Sequence, residues 1–341
     1  MMYQSILDAT PHISTAGMEY EAWQKKRMNS LGGSDAGAVM GMNNFASPLT
    51  LYLQKKGLVP ASEMSRAARR GKILEPVIRQ IAIEDFPQLT IEQTPFMFFH
   101  PVYPFMSANI DGVIHALDAV NVRGVDIMGL GGHEIKSAKT DYGWSEDEIP
   151  DSYYCQVQHY MAALGLPWFM VSVYILDGEE IRHYIIRRNA EFVDKLIAAE
   201  KDFWENYLEK SVMPAAIGIE NEDDMITGMF HGAQGTIHLG DAERELCAEH
   251  VNLNATKKDI ENRMKAIAVT VKEAIIKTAG DNLVEKKASA VAGPYSVSWS
   301  FFDRRSVDTD ALKKAGLYEQ YAKVSETDRF MISEKKTKGA A

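Results

Sequence analysis

Two short apolar segments of this chain carry three charged residues that a buried strand would normally exclude. The segments are Met106-Ser-Ala-Asn-Ile-Asp-Gly-Val-Ile114 and Gly132-His-Glu-Ile-Lys-Ser137, and the charged residues are Asp111, Glu134 and Lys136. Side chains alternate along a strand, so Glu134 and Lys136 share one face while Ile135 turns into the core. The glycines of Gly129-Leu-Gly-Gly132 predict a turn, and the first segment precedes it at hairpin distance. We therefore expect two neighbouring strands that bring the three charges together.

One acidic residue followed by Glu-x-Lys is the D…ExK arrangement of metal-dependent nucleases. Carboxylates are hard oxygen donors suited to Mg²⁺, and an ammonium on the same strand face can orient a water or stabilise phosphoryl charge. The alternative for any single Glu-x-Lys is a solvated charged surface. The apolar surroundings of Glu134 and the preceding Asp111 favour a metal site.

Length and cysteine content narrow the class of protein. A chain of 341 residues can bury a sizeable core as one large domain or two. No apolar run reaches membrane-spanning length, and the N-terminus lacks a basic segment followed by an apolar stretch, so we expect a soluble, unsecreted, cytoplasmic protein. Two cysteines allow neither a disulfide framework nor a Cys₄ cluster, which excludes nucleases that carry an iron–sulfur cluster.

The net charge of −10 argues against a nucleic-acid partner, but the charges are unevenly distributed. Residues 1–80 hold ten Lys and Arg against six acids, whereas acid is concentrated in 220–224 and 241–249. Such segregation lets a basic groove meet phosphates. A solvated helix face is the alternative interpretation of Arg66, Arg69 and Arg70.

The order of predicted elements indicates an α/β or α+β fold. The first third reads as helical, with helices over 18–29, from Ser34 or Asp35 to Met40, over 47–56 and over 63–86. Short strands follow at 91–99, 105–115 and 133–138, then a helix over 151–165, a hairpin formed by 168–176 and 181–186, and a helix over 191–208. Helices around a short mixed sheet would form a core over residues 1–215.

The remainder of the chain is predicted to be a linker and an extension. Residues 216–240 are acidic and contain several glycines, as expected of a linker. Residues 241–341 would begin with a helical hairpin or short coiled coil over 241–278. We expect a strand at 295–301, a polar helix around 308–315 and a final strand near 329–333 to follow.

Three further groups of polar residues are candidates for the site. Gly33 and Ser34 lie at a predicted helix start that could hold a phosphate, or could simply cap and pack that helix. Glu75 lies in an apolar stretch and could bind a metal or form a salt bridge with Arg79. Gln156 and Tyr160 share a helix face that could order waters, contact DNA or face solvent.

These elements, in this order, resemble the YqaJ-type viral recombinase, or bacteriophage lambda exonuclease, family of the PD-(D/E)XK nuclease superfamily. The matching blocks are Leu31–Gly41, Gly71–Pro76, Met106–Gly112 with Gly132–Lys136, and Tyr154–Tyr160. The resemblance covers about residues 20–210. It implies a restriction-endonuclease-like core, a mixed central sheet flanked by helices, with a helical and β extension at the C-terminus.

The resemblance also implies roles for individual residues. Asp111 and Glu134, with the Ile135 carbonyl, would bind the catalytic Mg²⁺, for which Mn²⁺ could substitute. Glu75 would belong to the same or a second metal site, and Lys136 would position the water. The 5′ phosphate of DNA would contact Arg27, Gly33 and Ser34, while Gln156, Gln158 and Tyr160 would support the site.

The function implied by the family is a Mg²⁺-dependent 5′→3′ exonuclease that digests linear double-stranded DNA ends to 3′ single strands for phage-type recombination. Its partners would be DNA ends, a single-strand annealing protein and further copies of the chain, as a trimer, in the cytoplasm of a bacterium or a phage-infected host. One alternative is a structure- or sequence-specific endonuclease on the same core. Another is a non-catalytic DNA-binding or scaffold module, although binding alone does not require an aligned metal site.

Overall fold

The computed structural model describes residues 3–59, 65–229, 235–280, 287–324 and 327–333. They divide into two compact units, residues 1–231 and 232–341. In the first unit the helices are α1 (Gln4–Ala9), α2 (Tyr20–Met28), α3 (Gly33–Val39), α4 (Pro48–Lys55), α5 (Arg66–Asp85), α6 (Asp151–Leu164), α7 (Ala190–Asp202) and α8 (Glu220–Gly228), with a π-helical segment at Phe203–Glu209. Its strands are β1 (His12–Ser14), β2 (Leu31–Gly32), β3 (Leu89–Glu92), β4 (Phe96–Phe99), β5 (Met106–Ala108), β6 (Gly112–Val122), β7 (Val125–Ala138), β8 (Trp168–Ile175) and β9 (Glu180–Arg187).

A five-stranded mixed sheet in the order β3-β6-β7-β8-β9 is the centre of the first unit. Its neighbours pair in antiparallel fashion except β7 and β8, which are parallel and are connected through α6. Two parallel neighbouring strands need a crossover connection of about a dozen residues or more, which is usually a helix. A second sheet, β1-β4-β5-β2, lies beside it. The expected architecture, a mixed sheet flanked by helices, is confirmed.

Alternating side chains of β8 separate the core into two layers. Phe169 and Val171 belong to the same apolar cluster as Val157 of α6. Trp168 and Met170 belong to a cluster that includes Ala82 of α5. The sheet is therefore covered by α6 on one face and by α5 on the other, which makes β7 and β8 central strands with both faces buried.

The turn expected at Gly129–Gly132 is wrong. Strand β7 runs through these residues, and the chain reverses instead at Arg123 and Gly124, which adopt positive φ angles of 48° and 83°. A Cβ atom at Gly131 would lie 2.3 Å from the Trp168 ring, and one at Gly132 would lie 2.1 Å from the Phe169 ring. These two glycines are thus required because large aromatic side chains of β8 cover the strand.

Most other predicted helices of the first unit are confirmed within a few residues. Each of the expected strands 91–99 and 105–115 is instead two strands, β3 with β4 and β5 with β6, because the chain passes between the two sheets within each segment. Ser47 caps α4 by accepting a hydrogen bond of 3.2 Å from the Thr50 amide, and α5 continues through Pro76. The β8–β9 hairpin forms as expected. Helix α3 differs slightly, because Gly32 occupies its N-cap position and Asp35 accepts the Gly32 amide hydrogen bond at 2.9 Å.

The segment expected to be a linker contains a docked helix. Helix α8 lies within residues 216–240 and packs against α4. Its Glu222 accepts hydrogen bonds from the Ser47 hydroxyl and from the amides of Ile217 and Gly218. This half of the expected linker therefore belongs to the first unit.

The second unit is built on one long helix, which contradicts the expected helical hairpin and leaves the alternative expectation, a short coiled coil. Helix α9 runs without interruption from Asp241 to Ala279, 39 residues. It is followed by the antiparallel strands β10 (Lys287–Ala292) and β11 (Tyr295–Ser300) and by helices α10 (Thr309–Lys314) and α11 (Tyr318–Tyr321). Residues 329–333 are not a strand. Among the described residues, no helix is long and apolar enough to cross a membrane.

The contact between the glycines and the aromatic rings yields a stability prediction. Gly132→Ala forces the added methyl group into the Phe169 ring, and overpacking of this kind costs about 1–3 kcal/mol. Chemical denaturation should therefore give a lower free energy of unfolding for this variant. Gly228→Ala is the matched control, since an added Cβ there meets nothing within 4 Å. Equal stabilities of the two variants would contradict the packing described here.

Candidate active site

The ends of β6 and β7 bring Asp111 and the Glu134–Lys136 pair together. Gly112 pairs with His133, so Asp111, the residue before Gly112, lies opposite Glu134. The Asp111 carboxylate accepts a hydrogen bond of 2.7 Å from the Ile135 amide. Because the amide and carbonyl of one strand residue face the same edge, the Ile135 carbonyl also faces the Asp111 side. The expected convergence of the Asp111 and Glu134 segments is present.

Glu134 is almost fully buried, with 3% of its surface exposed. Its Oε1 atom lies 2.7 Å from the Lys136 Nζ atom and accepts a hydrogen bond of 2.7 Å from Gln156. Its Oε2 atom is buried and has no hydrogen-bond partner within the described residues. A buried carboxylate oxygen without a partner is costly, so this atom is suited to an additional ligand such as a cation.

The Gln156 side chain holds Glu134 and Lys136 in position with both ends of its amide. Its nitrogen donates to Glu134 and, at 3.0 Å, to the Tyr160 hydroxyl, while its oxygen accepts from Lys136 at 2.9 Å. The Lys136 ammonium also lies 4.5 Å from the centre of the Tyr153 ring. Both the nitrogen and the oxygen of the Gln156 side-chain amide are thus engaged in hydrogen bonds. Through Gln156, helix α6 fixes the positions of the Glu134 and Lys136 side chains of β7.

Clustering of negative charge shifts the titration of the site. Burial raises the pKa of Asp111 well above its ordinary value, and the nearby Glu134 and Glu75 carboxylates raise it further. Burial also raises the pKa of Glu134, although Lys136 opposes that change. Burial alone would lower the pKa of Lys136, but the Glu134 charge raises it, so the lysine stays an ammonium. The electrostatic imbalance around Asp111 would be relieved by a cation.

Glu75 points to Arg79, as the salt-bridge interpretation predicted. The Glu75 Oε1 atom lies 2.5 Å from the Arg79 guanidinium, which also donates to the Asp111 carbonyl at 3.1 Å. Glu75 is close enough to influence Asp111 electrostatically. Within the described part of the chain, no three His, Cys, Asp or Glu side chains form a group that could hold a metal by themselves.

Arg27 and Ser34 lie next to each other on the side of the site formed by α2 and α3. The Arg27 guanidinium donates to the Ser34 hydroxyl at 2.6 Å and lies 4.8 Å from the centre of the Trp23 ring. A Cβ atom at Gly33 would come within 2.5 Å of the Tyr160 ring, so only glycine lets α3 approach α6 this closely. The close packing at Gly33 therefore places the Arg27–Ser34 pair next to the Gln156–Tyr160 pair.

Sequence reasoning missed a half-buried lysine that holds this region together. The Lys55 ammonium lies 2.7 Å from Asp35 and donates to the carbonyls of Arg27 at 2.9 Å and Ser30 at 2.6 Å. It fixes the end of α2 and the start of α3 against α4. The available signal was Lys55 two residues after the run Leu49–Leu53, where a lysine needs partners if its side chain is shielded from solvent.

Gln158 does not belong to the site. Its side chain donates to the Arg187 carbonyl at 2.8 Å and accepts from the Asn189 amide at 3.0 Å. It connects α6 to the segment between β9 and α7. Residues two apart on a helix do not share a face, which explains why Gln156 and Gln158 differ.

His159 forms a buried ion pair with Glu200. Its Nδ1 atom lies 2.8 Å from Glu200, and its Nε2 atom lies 2.9 Å from the Ser107 carbonyl. Burial would lower the pKa of His159, but the Glu200 charge and these hydrogen bonds raise it above 6.5. Both ring nitrogens face acceptors, so the imidazolium form fits this position. The pair fastens α6 to α7 and β5.

Residues 22–166 match the family model described as a YqaJ-like viral recombinase domain. A curated relative, the uncharacterized protein YqaJ of Bacillus subtilis (strain 168), is 26% identical over 324 residues, which cover 93% of this chain and 95% of that protein. The resemblance expected from the sequence motifs is confirmed by this match.

Solved structures of two exonucleases are also similar to this chain. An alkaline exonuclease (LHK-Exo) from Laribacter hongkongensis is 21% identical, with a TM-score of 0.43, over 56% of this chain and 94% of that one. A phage related exonuclease from Haemophilus somnus 129PT is 12% identical, with a TM-score of 0.38, over 53% of this chain and 96% of that one.

The buried His159–Glu200 pair predicts a pH-dependent stability. A histidine whose folded pKa is raised contributes stability that is fully present below its unfolded pKa and is lost as the pH rises through the folded pKa. We therefore expect the contribution of the His159–Glu200 pair to the free energy of unfolding to fall as the pH rises above 6.5, the ordinary pKa of histidine, and through the raised pKa of His159. Urea denaturation at several pH values measures this slope.

Two variants separate this ion pair from other titrating groups. His159→Leu should destabilise the protein by about 3–5 kcal/mol because it leaves Glu200 buried without a partner. The double variant with Glu200→Leu should recover part of that loss, because no unpaired charge remains. If the double variant is no more stable than His159→Leu, the pair does not carry the effect.

Proposed function

We propose that this chain, of which residues 22–166 match YqaJ-like viral recombinase domains, is a metal-dependent DNA exonuclease. The observation that carries the proposal is the Glu134 side chain. One of its oxygens is held by Lys136 and Gln156, and the other is buried beside Asp111 with no hydrogen-bond partner in the part of the chain that the structure describes. This arrangement suits hydrolysis of a phosphodiester, which needs a cation and a positioned water at the same place.

Donors at the site fit Mg²⁺, with Mn²⁺ as a substitute. Asp111, Glu134 and the Ile135 carbonyl would supply oxygen ligands, and Glu75 would contribute to the same or a second metal site. Mg²⁺ prefers oxygen donors and keeps several waters. When bound, it would polarise the phosphoryl oxygen and acidify a coordinated water.

Each remaining residue has a defined task in this proposal. The Lys136 ammonium orients the attacking water or stabilises charge on the phosphate, since it is kept protonated by Glu134. Gln156 holds the Lys136 and Glu134 side chains each in one rotamer. The neutral Tyr160 phenol accepts a further hydrogen bond from the Gln156 amide nitrogen. Burial and the Glu134 charge raise the pKa of Tyr160, so its hydroxyl remains a proton donor.

Direction of digestion would be set by the Arg27–Ser34 pair. A guanidinium and a hydroxyl 2.6 Å apart can share a terminal phosphate through charge-assisted hydrogen bonds. Because Lys55 fixes the backbone of Arg27, this contact is held at a constant place beside α6. We propose that it binds the 5′ phosphate, with 5′→3′ digestion as the consequence.

The proposed biological role is end processing in phage-type recombination in the bacterial or phage-infected cytoplasm. Digestion of linear double-stranded DNA would leave 3′ single strands for an annealing protein, and assembly as a trimer would enclose the duplex. An endonuclease is the second candidate, since the same site would cut internal phosphodiesters. A scaffold without activity is disfavoured by the carboxylates that surround Asp111.

The form of DNA that is consumed distinguishes these candidates. In Mg²⁺, an exonuclease degrades linear DNA and leaves covalently closed circles intact. Cutting of closed circles would assign an endonuclease, and an intact mixture of linear, nicked and closed DNA would assign a binding module. Ca²⁺ should support DNA binding with little cleavage, because its looser coordination places water poorly.

Neutralising the proposed metal ligands should separate activity from stability. Asp111→Asn should lower exonuclease activity by at least about a hundredfold, in the range that loss of a positioned catalytic group produces. Without divalent metal the same variant should unfold at a higher denaturant concentration, since it removes a repelling charge. Glu134→Gln and Lys136→Ala should also lose activity.

Asp118→Asn on the exposed part of β6 is the matched control for this series. It should retain native activity and native metal affinity by calorimetry. Native rates for purified Asp111→Asn would show that the site is wrongly assigned.

The terminal-phosphate contact predicts a preference between DNA ends. Linear DNA with 5′ phosphates should be degraded faster than the same DNA with 5′ hydroxyls. Arg27→Ala should shrink this difference by about an order of magnitude, as expected for one hydrogen bond to a charged group of about 1.5–3 kcal/mol. Lys26→Ala, an exposed neighbouring cation, should leave the ratio unchanged. Equal rates on the two substrates with the native chain would contradict this assignment, and digestion from 3′ ends would contradict the polarity.

A further inference from the structure

We propose that helix α9 pairs in antiparallel orientation with α9 of a second copy of this chain. The first observation is an apolar seam that repeats every seven residues, formed by Leu246, Leu253, Ile260 and Ile267. Their exposed fractions are 64%, 61%, 55% and 49%. A seven-residue repeat keeps one seam facing a partner helix, as in coiled coils. Four unburied leucine and isoleucine residues along one line, over about six helical turns, therefore indicate a missing helix.

The second half of α9 completes the seam with additional apolar residues. Met264 and Val271 lie four residues after Ile260 and Ile267, where a coiled coil places its alternate core positions. The corresponding positions in the first half are His250 and Lys257. An antiparallel partner would set the polar half of the seam against the apolar half of its own seam. Lys257 would then not face Lys257 of the second copy, as it would in a parallel pair.

Other described parts of the second unit leave the seam uncovered. The Lys272 ammonium lies 5.2 Å from the centre of the Trp299 ring in β11. Near the start of α9, Ile332 and Ser333 help line a cavity of about 290 Å³ together with Arg244, Cys247, Ala248, Val251 and Asn252. None of these α9 positions is a seam residue, so the hairpin and the tail occupy other sides of the helix.

The charges on α9 select both the partner and its direction. Residues 241–256 contain four acidic residues and one basic residue, a net charge of −3. Residues 257–279 contain six basic and three acidic residues, a net charge of +3. A parallel copy would place like charges together, whereas an antiparallel copy places each acidic half against a basic half. Helix α9 is about 58 Å long for its 39 residues, and the seam from Leu246 to Val271 extends over about 38 Å of it, so a second α9 is long enough to cover the whole seam.

Molar mass by light scattering tests the pairing. A twofold pairing requires an even number of copies in the native protein, so the trimer proposed for the nuclease unit would occur as two trimers joined through α9, six copies in all. The double variant Leu253→Glu with Ile260→Glu should halve that mass, because it puts unpaired charges into the seam. Val269→Glu is the matched control, since Val269 is 56% exposed but lies off the seam. A native mass of one or three copies, or an unchanged mass in the double variant, would overturn the proposal.

Spin labels on the full-length chain test the direction. With Cys247 replaced by serine, a label at Asp259→Cys, near the middle of α9, should give an intermolecular distance below about 25 Å. A label at Glu245→Cys, which occupies the same position in its own heptad, should give about 40 Å because the two sites lie toward opposite ends of the pair. Short distances at both sites would indicate a parallel pair and would overturn the antiparallel assignment.

Discussion

Burial of the Glu134 carboxylate is the interaction on which the rest of the first unit depends. A carboxylate with 3% exposure is unfavourable unless neighbouring groups compensate its charge. Lys136 supplies the charge and Gln156 supplies the hydrogen bond, but each compensates only the Oε1 atom. The remaining oxygen stays uncompensated next to a second carboxylate, Asp111, so stability is given up at the place where chemistry is proposed.

That requirement extends from the site to the surrounding elements. Gln156 can reach Glu134 only if α6 packs at one position on the sheet. The His159–Glu200 pair and the Gly33–Tyr160 contact fix that position. The Arg27 segment is fixed in turn by Lys55. Three contacts outside the proposed metal site, two polar and one between Gly33 and the Tyr160 ring, therefore determine the geometry inside it, which is the usual role of groups behind a metal centre.

Features of the fold that depend on local pattern could be predicted from the sequence. The alternation around Glu134 and Lys136, the Ser47-Pro48 helix start and the hairpin over 168–186 each involve residues close together in the chain. Gly131 and Gly132 were misread as a turn because their role is set by Trp168 and Phe169, which follow more than thirty residues later. The same distance hid the partners of His159 and Lys55. A repeat of apolar residues over 241–278 also cannot distinguish one long helix from two short ones.

The parallel pairing of β7 with β8 has a consequence for synthesis of the chain. Lys136 leaves the ribosome before Gln156, and β8 follows only after the whole of α6, so β7 waits for its second neighbour. Pairing between distant segments is slower than formation of a local hairpin. The β6–β7 hairpin can thus form early with its charges still in water, and Glu134 is dehydrated only when α6 and β8 close over it. A nascent chain consequently carries Asp111, Glu134 and Lys136 before it has the proposed site assembled around them.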